Sequence, residues 1–372
     1  MKILTVFGTR PEAIKMAPLV KGFVAHNDIE SLLCVTGQHR EMLDQVLDIH
    51  NLKPNFDLDI MEAGQSLSQI NSRILLGLEP VLAEVNPDWV FVHGDTATTA
   101  AASLAAYYQS IPLAHVEAGL RTYNIYSPWP EEINRRIAGV IASCHFAPTE
   151  NAKSNLLAEG VKEENILVSG NTVIDALFQG LEQLEASKTL RQSIDVKLPT
   201  LNPAKKLIVV TGHRRESFGE GFENICQSLI DISKRGDVQI IYPVHLNPYV
   251  KKIVGVRLSC QENIHLIAPL SYLAFIHLMS KAYIIITDSG GIQEEAPSLG
   301  IPVLVTRETT ERPEALEVGA ARLVGQDKAE IVTQTERLLD NQSAYQAMSK
   351  VKNPYGDGKA VSQIISHILN RQ

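Results

Sequence analysis

Lys2-Ile3-Leu4-Thr5-Val6-Phe7 is a short apolar, β-branched run that breaks at Gly8-Thr9-Arg10-Pro11-Glu12 and gives way to a segment of helical periodicity. The same grammar recurs at Leu207-Ile208-Val209-Val210-Thr211, which breaks at Gly212-His213-Arg214. A strand, a polar or glycine-containing turn and then a helix is the unit of a parallel sheet covered on both faces. Working outward, strands are predicted in the first half at 2–7, 31–36, 89–93, 112–116 and near 166–169, with the Ala-rich stretch 99–108 as the clearest helix. The second half repeats the rhythm with strands at 207–211, 239–243, 265–267, 283–287 and 302–305. Between the two series, 179–205 is charged, carries Leu at uneven spacing and ends in Pro199 and Pro203, so the domain connection is placed there. The expected fold is α/β, two doubly wound Rossmann-like domains facing a cleft along the carboxyl ends of both sheets, where open α/β sheets bind ligands.

The 372 residues suit two domains of ordinary size, and 45% hydrophobic with 20% charged residues is a globular composition. The net charge of −8 would repel a polyanion, so nucleic acid is an unfavoured partner. The apolar run 3–7 is too short for a signal peptide or a span, and no stretch stays apolar for about 20 residues. A cytoplasmic protein without membrane contact is expected. Cys34, Cys144, Cys226 and Cys260 are scattered, which indicates neither disulfides nor a zinc cluster. No strand-ending turn carries Gly-x-Gly-x-x-Gly, the His residues occur singly, and a Gly-x-Ser-x-Gly elbow is lacking. No cofactor and no metal are therefore expected.

The turns that end the strands hold the chemistry. They are Gly8 to Glu12 with Lys15, His93-Gly94-Asp95-Thr96, His115-Val116-Glu117-Ala118-Gly119, and Gly212-His213-Arg214-Arg215-Glu216. Asp288-Ser289-Gly290-Gly291 precedes a helical 292–299, so its backbone N–H groups could bind a diphosphate, or Ser289 could be an ordinary N-cap. Each candidate has an everyday alternative. Asp95 could cap the next helix, Glu131 could pair with Arg135 and Glu132 with Arg136 at i, i+4, and Lys15 could pair with Glu12. Arg10 could be a solvated loop residue, and His213 a core or loop histidine. Glu117 ends an apolar strand in an Ala-Gly loop with no capping duty, which suggests a partly buried functional carboxylate.

Taken together, Val6 to Pro18, His93 to Thr96, His115 to Arg121, Tyr126 to Glu132, Thr211 to Glu216, Asp288 to Pro297, Glu311 to Glu314 and Asn353 to Gly358 closely resemble the bacterial non-hydrolysing UDP-N-acetylglucosamine 2-epimerases, over essentially the whole chain. The resemblance implies a glycosyltransferase-B-like fold. A first domain over 1–175 would carry the catalytic carboxylates and a second over 176–359 would bind UDP, with a final helix at about 360–372 packing back on the first. It also implies a homodimer and the interconversion of UDP-GlcNAc and UDP-ManNAc for cell-surface polysaccharide synthesis.

The C2 hydrogen of the sugar has no adjacent carbonyl, so direct deprotonation is slow. Elimination of UDP to 2-acetamidoglucal, followed by re-addition with protonation on the opposite face, needs two acid/base groups and no redox partner. Asp95, Glu117 and Glu131 supply carboxylates, while Arg10, His213, Arg312 and the Ser289, Gly290 and Gly291 amides would stabilise the leaving UDP. By resemblance, Leu270 and Phe275 bind substrate, with Phe275 against the uracil. Glu295 holds the ribose hydroxyls, and Lys15 orients sugar or phosphate near Asp95. Family members are often activated by a second UDP-GlcNAc, whose contacts would fall near Gln38, His39, Arg40, Arg214 and His245; Glu41 and Gly64 stand where some relatives carry Gln and Arg. The competing readings are a glycosyltransferase of the same architecture, a hydrolysing relative that releases ManNAc and UDP, and a non-catalytic sugar-nucleotide sensor.

Overall fold

The computed structural model describes residues 1–38, 40–62 and 64–371, with the side chains of 40–42 and 215 outside the description. By contacts the chain divides into two units, Met1–Ala176 with Tyr355–Gln372, and Leu177–Pro354.

The first unit holds a seven-stranded parallel sheet: β1 (Lys2–Phe7), β2 (Glu30–Val35), β3 (Phe56–Asp57), β4 (Trp89–His93), β5 (Leu113–Val116), β6 (Cys144–Ala147) and β7 (Ile166–Val168). Their order is β3-β2-β1-β4-β5-β6-β7, so the winding reverses between β1 and β4. The second unit holds β8 (Lys206–Thr211), β9 (Val238–Pro243), β10 (Ile264–Ile267), β11 (Ile284–Thr287), β12 (Val303–Val305) and β13 (Ala321–Leu323), ordered β10-β9-β8-β11-β12-β13 and also parallel throughout. Its reversal falls between β8 and β11. A reversal leaves adjacent loops diverging to opposite faces, which opens a crevice at the carboxyl ends of the two strands.

The two expected doubly wound units are present, and the central strands match the sequence reading closely. Strands β3, β6 and β13 escaped it, and 179–205 is largely helical, in Thr172–Ala186 and Lys188–Asp195, where a loose connection was expected.

Both faces of the first sheet are apolar. On one, Ile3, Phe7, Phe91 and Phe146 pack against Met16, Leu19 and Phe23 of the helix Arg10–Val24, and against Ile364 and Ile368 of the helix Ala360–Leu369. Phe91 is edge-on to Phe23 with ring centroids 5.0 Å apart. On the other face, Leu4, Val6, Val90 and Val92 meet Ile74, Leu78 and Leu82 of the helix Leu67–Val85 and the alanines of Ala97–Tyr108. Those alanines let the latter helix lie close to the strands, as its composition suggested. The second sheet is enclosed likewise, around Ile208, Val210, Ile240 and Ile286. Among the described residues, no helix is long and apolar enough to cross a membrane.

Candidate active site

At the first reversal point, β1 ends in Gly8-Thr9 and β4 in Gly94-Asp95. Gly8 is obligatory: a Cβ there would lie 1.9 Å from Thr36 Oγ1 and 2.5 Å from Thr98 Oγ1. Thr9 caps the helix Arg10–Val24 in a capping box with Glu12, whose Oε2 accepts from the N–H groups of Gly8 (3.1 Å) and Thr9 (2.8 Å). Glu12 Oε1 accepts from the Thr96 hydroxyl at 2.7 Å, which stitches the two loops together. Burial raises the Glu12 carboxyl against the pull of those donors. Glu12 is thus structural and does not take Lys15 as its partner.

Lys15 instead pairs with Glu117, which also accepts from Asn171 Nδ2 at 2.8 Å, while His93 Nε2 lies 3.7 Å from the same carboxylate. The Lys15 and Glu117 side chains are only 13% and 8% exposed, so the pair is largely desolvated and its attraction is weakly screened. Glu117 has φ of +60°, a left-handed conformation that costs any residue with a Cβ energy and concentrates at functional sites. Burial holds His93 neutral, down at about 4, although Glu117 pulls the other way. His115, from the middle of β5, is pushed to about 3 by burial and hydrogen-bonds the Gly94 carbonyl at 2.7 Å.

Asp95 does not cap the helix that follows; Thr96 does, through the Thr99 N–H. Its carboxylate pairs with Arg135, and its carbonyl accepts from Asn134 Nδ2 at 2.9 Å. Burial raises the Asp95 carboxyl, opposed by Arg135 and reinforced by Glu117. Arg135 therefore serves Asp95 and, at 3.5 Å, Glu132, while the i, i+4 pair that does form is Glu132 with Arg136. Glu131 opens the helix Glu131–Ile141, and its Oε2 is buried without a hydrogen-bond partner among the described residues. Arg10 is partly buried, which lowers its guanidinium below the usual value.

At the second reversal point, Asp288 follows β11 and receives the N–H groups of His213 (2.7 Å) and Arg214 (2.8 Å) from the loop after β8. The His213 ring lies 3.3 Å from Asp288 and stacks on His245 at 4.8 Å between centroids. Burial would raise Asp288, but His213 and the two amides outweigh it and hold the carboxyl below its usual range. The helix begins at Gly290 rather than 292, with Ser289 at its N-cap position making no side-chain cap bond, and turns 3-10 over Ala296–Leu299. Arg312 is held by Glu294, close to Gly290, where a Cβ would lie 4.0 Å from its guanidinium carbon. Glu295 Oε2 accepts from the buried Tyr272 hydroxyl at 3.2 Å. Tyr272 opens the helix Tyr272–Met279, which carries Phe275; Leu270 lies just before it and is partly buried.

Of the residues assigned to activation, Gln38 accepts from Thr98 Oγ1 at 3.3 Å, and Arg214 and His245 belong to the His213–Asp288 cluster. His39 and the Arg40 side chain lie outside the described residues. Asn171 and Asn134 touch these turns without having been singled out in the sequence, and Arg135, expected opposite Glu131, is taken by Asp95. Asn171 had the right address, in the polar turn after β7 at the carboxyl end of the sheet.

The profile of UDP-N-acetylglucosamine 2-epimerase matches residues 21–369. The UDP-N-acetylglucosamine 2-epimerase of Escherichia coli K12 is 57% identical over all of this chain and 99% of its own. The crystal structure of UDP-GlcNAc 2-epimerase from Neisseria meningitidis bound to UDP-GlcNAc is 51% identical, with both chains covered fully and a TM-score of 0.92. That of the Methanocaldococcus jannaschii enzyme in complex with UDP-GlcNAc and UDP is 36% identical over both full chains, with a TM-score of 0.82. The fold is the glycosyltransferase-B-like fold of these structures. With the profile covering nearly all of the sequence and relatives above 50% identity aligned end to end, the chain belongs to the UDP-N-acetylglucosamine 2-epimerase family.

Proposed function

We propose that the protein is a non-hydrolysing isomerase that interconverts UDP-GlcNAc and UDP-ManNAc by eliminating and re-adding UDP. The observation that carries this reading is the pair of carboxylates, the largely enclosed Glu117 and the partly exposed Asp95, gathered with Lys15 at the first reversal point. Their environments differ, since Lys15 and Asn171 favour the charged form of Glu117 while burial favours the neutral form of Asp95. Two carboxyl groups held in different surroundings are what a two-base inversion requires.

One carboxylate takes the C2 proton as the C1–O bond breaks. The C–H electron pair becomes the C1=C2 bond of 2-acetamidoglucal, and UDP departs with the C–O pair. UDP oxygen then adds back to C1 while a second carboxyl group delivers a proton to the other face of C2. Glu131, with an unsatisfied buried oxygen at a helix start, is the third candidate for this traffic. In the second unit, His213, Arg312 and the Ser289-Gly290-Gly291 amides receive the diphosphate, Phe275 the uracil and Glu295 the ribose, with Leu270 a further substrate contact. Arg10 adds a further cation.

Incubation with UDP-GlcNAc alone in heavy water tests the proposal. Epimerisation puts deuterium at C2 of both nucleotide sugars. A glycosyltransferase leaves C2 unlabelled without an acceptor, and a hydrolysing enzyme accumulates free ManNAc and UDP. The same reading carries a homodimer, and a second UDP-GlcNAc acting as activator through the residues that the resemblance assigns to it. Sigmoidal rates in UDP-GlcNAc and inert UDP-ManNAc alone are the expected signs of activation, and hyperbolic rates in both directions would remove it.

A further inference from the structure

Asn171 joins the acid/base cluster to the segment of chain that returns to the first unit. It stands immediately before the helix Thr172–Ala186, and its Oδ1 accepts from the Val173 N–H at 3.0 Å. This cap fixes which end of the amide is which, so the atom facing Glu117 Oε2 at 2.8 Å is the Nδ2 donor. The backbone N–H of Asn171 donates to the Tyr355 carbonyl at 2.7 Å. Gly170 permits that approach: with φ of +83°, a Cβ there would meet the Tyr355 carbonyl oxygen at 3.1 Å and Gly356 Cα at 3.3 Å. Tyr355 is the first residue of the returning segment. The residue that touches Glu117 is therefore pinned on both sides, by its own helix and by the return of the chain.

We infer that Asn171 is a positioning residue for the epimerisation, aiming the Glu117 carboxylate and holding its charge through the Nδ2–H donor, with the returning Tyr355 backbone as its brace. The inference rests on the proposed acid/base role of Glu117. Among the described residues, the charged and titratable groups facing Glu117 include Lys15 from the helix Arg10–Val24, His93 at the end of β4, and Asp95 with its partner Arg135. His93 is neutral, so Lys15 is an adjacent cation and Asn171 an adjacent neutral donor. A donor to the ionised form lowers a carboxyl pKa, and its loss raises it.

Asn171→Asp is the test, because Asp keeps the cap to Val173 and the backbone bond to Tyr355 while replacing the donor with an acceptor. Asn171→Ser, also a good cap, exchanges the Nδ2 donor for a shorter hydroxyl drawn back to the cap, without adding charge. The expected result is a kcat/KM about tenfold or more lower at neutral pH, with the limb of the pH profile governed by Glu117 moved up by about one pH unit or more in both directions of reaction. The smaller displacement belongs to Asn171→Ser, and melting temperatures should stay within about 4 °C of the parent. Glu117→Gln is measured alongside. If Glu117→Gln is inactive while both Asn171 variants keep the parent pH profile, the positioning role is overturned alone. Full turnover by Glu117→Gln overturns the reading of Glu117 and this inference with it. A lowered melting temperature with an unmoved limb would mark Asn171 as merely structural.

Discussion

Replacing Asp175 by Asn should make the first unit relatively more stable as pH rises. Asp175 is 5% exposed and caps the helix Ala360–Leu369 from the helix Thr172–Ala186, accepting from the N–H groups of Ala360 (3.2 Å) and Val361 (3.0 Å). Burial pushes its carboxyl from 3.8 up to about 6, although both amides pull it down. The folded state therefore binds this proton more tightly than the unfolded chain. The stability that results is complete below pH 3.8 and is lost as pH rises through 6. At about 1.4 kcal/mol per tenfold change in proton affinity, the displacement is worth about 3 kcal/mol. Asn cannot titrate, so the stability difference between Asp175→Asn and the parent should move by about 2.4 kcal/mol in favour of the variant between pH 4 and 7. Any constant offset from the changed cap leaves that slope untouched. Both tryptophans, Trp89 and Trp129, belong to the first unit, so urea unfolding followed by tryptophan fluorescence at several pH values reads the relevant unit. A difference that stays constant across this range, or that moves the other way, would refute the reasoning.

Arg312→Lys should raise the KM for UDP-GlcNAc about tenfold with a smaller fall in kcat, because an ammonium cannot hold Glu294 and still present a planar fork beside Gly290. Initial rates and calorimetric titration with UDP check it, and an unchanged affinity for UDP would remove Arg312 from the diphosphate site. Gly8→Ala should destabilise the first unit by about 2 kcal/mol, since the new methyl overlaps Thr36 Oγ1 and Thr98 Oγ1. Denaturant midpoints measure it, and a neutral substitution would mean the loop yields more easily than its packing implies.

Central strands and their terminal turns were legible because burial on both faces writes continuous apolar runs, as in β1, β4 and β8. The edge strands were not. β3 has two residues, β13 has three with an exposed Arg322, and β6 is only Cys144-His145-Phe146-Ala147, too short to outweigh its polar neighbours. Glycines 8, 94 and 119 and the carboxylates beside them could be read because strand ends give them an address. Partnerships could not. Lys15 lies one helical turn from Glu12, yet Glu12 is spent on the Gly8 and Thr9 amides, so Lys15 crosses to Glu117, 102 residues away. Asp95 likewise looked like a cap, but the neighbouring Thr96 takes that duty and leaves the carboxylate to Arg135. Such choices are settled by three-dimensional competition for donors, which local spacing does not record.

The helix Ala360–Leu369 lays Val361 and Ile365 against Gly22 and buries Ile364 and Ile368 in the core of the first unit. Ribosomal synthesis therefore delivers the last wedge of that core only after every residue of the intervening unit has been made. The earlier-encoded unit therefore cannot complete its core ahead of its successor, and an apolar groove along the helix Arg10–Val24 stays open until the chain's final segment arrives.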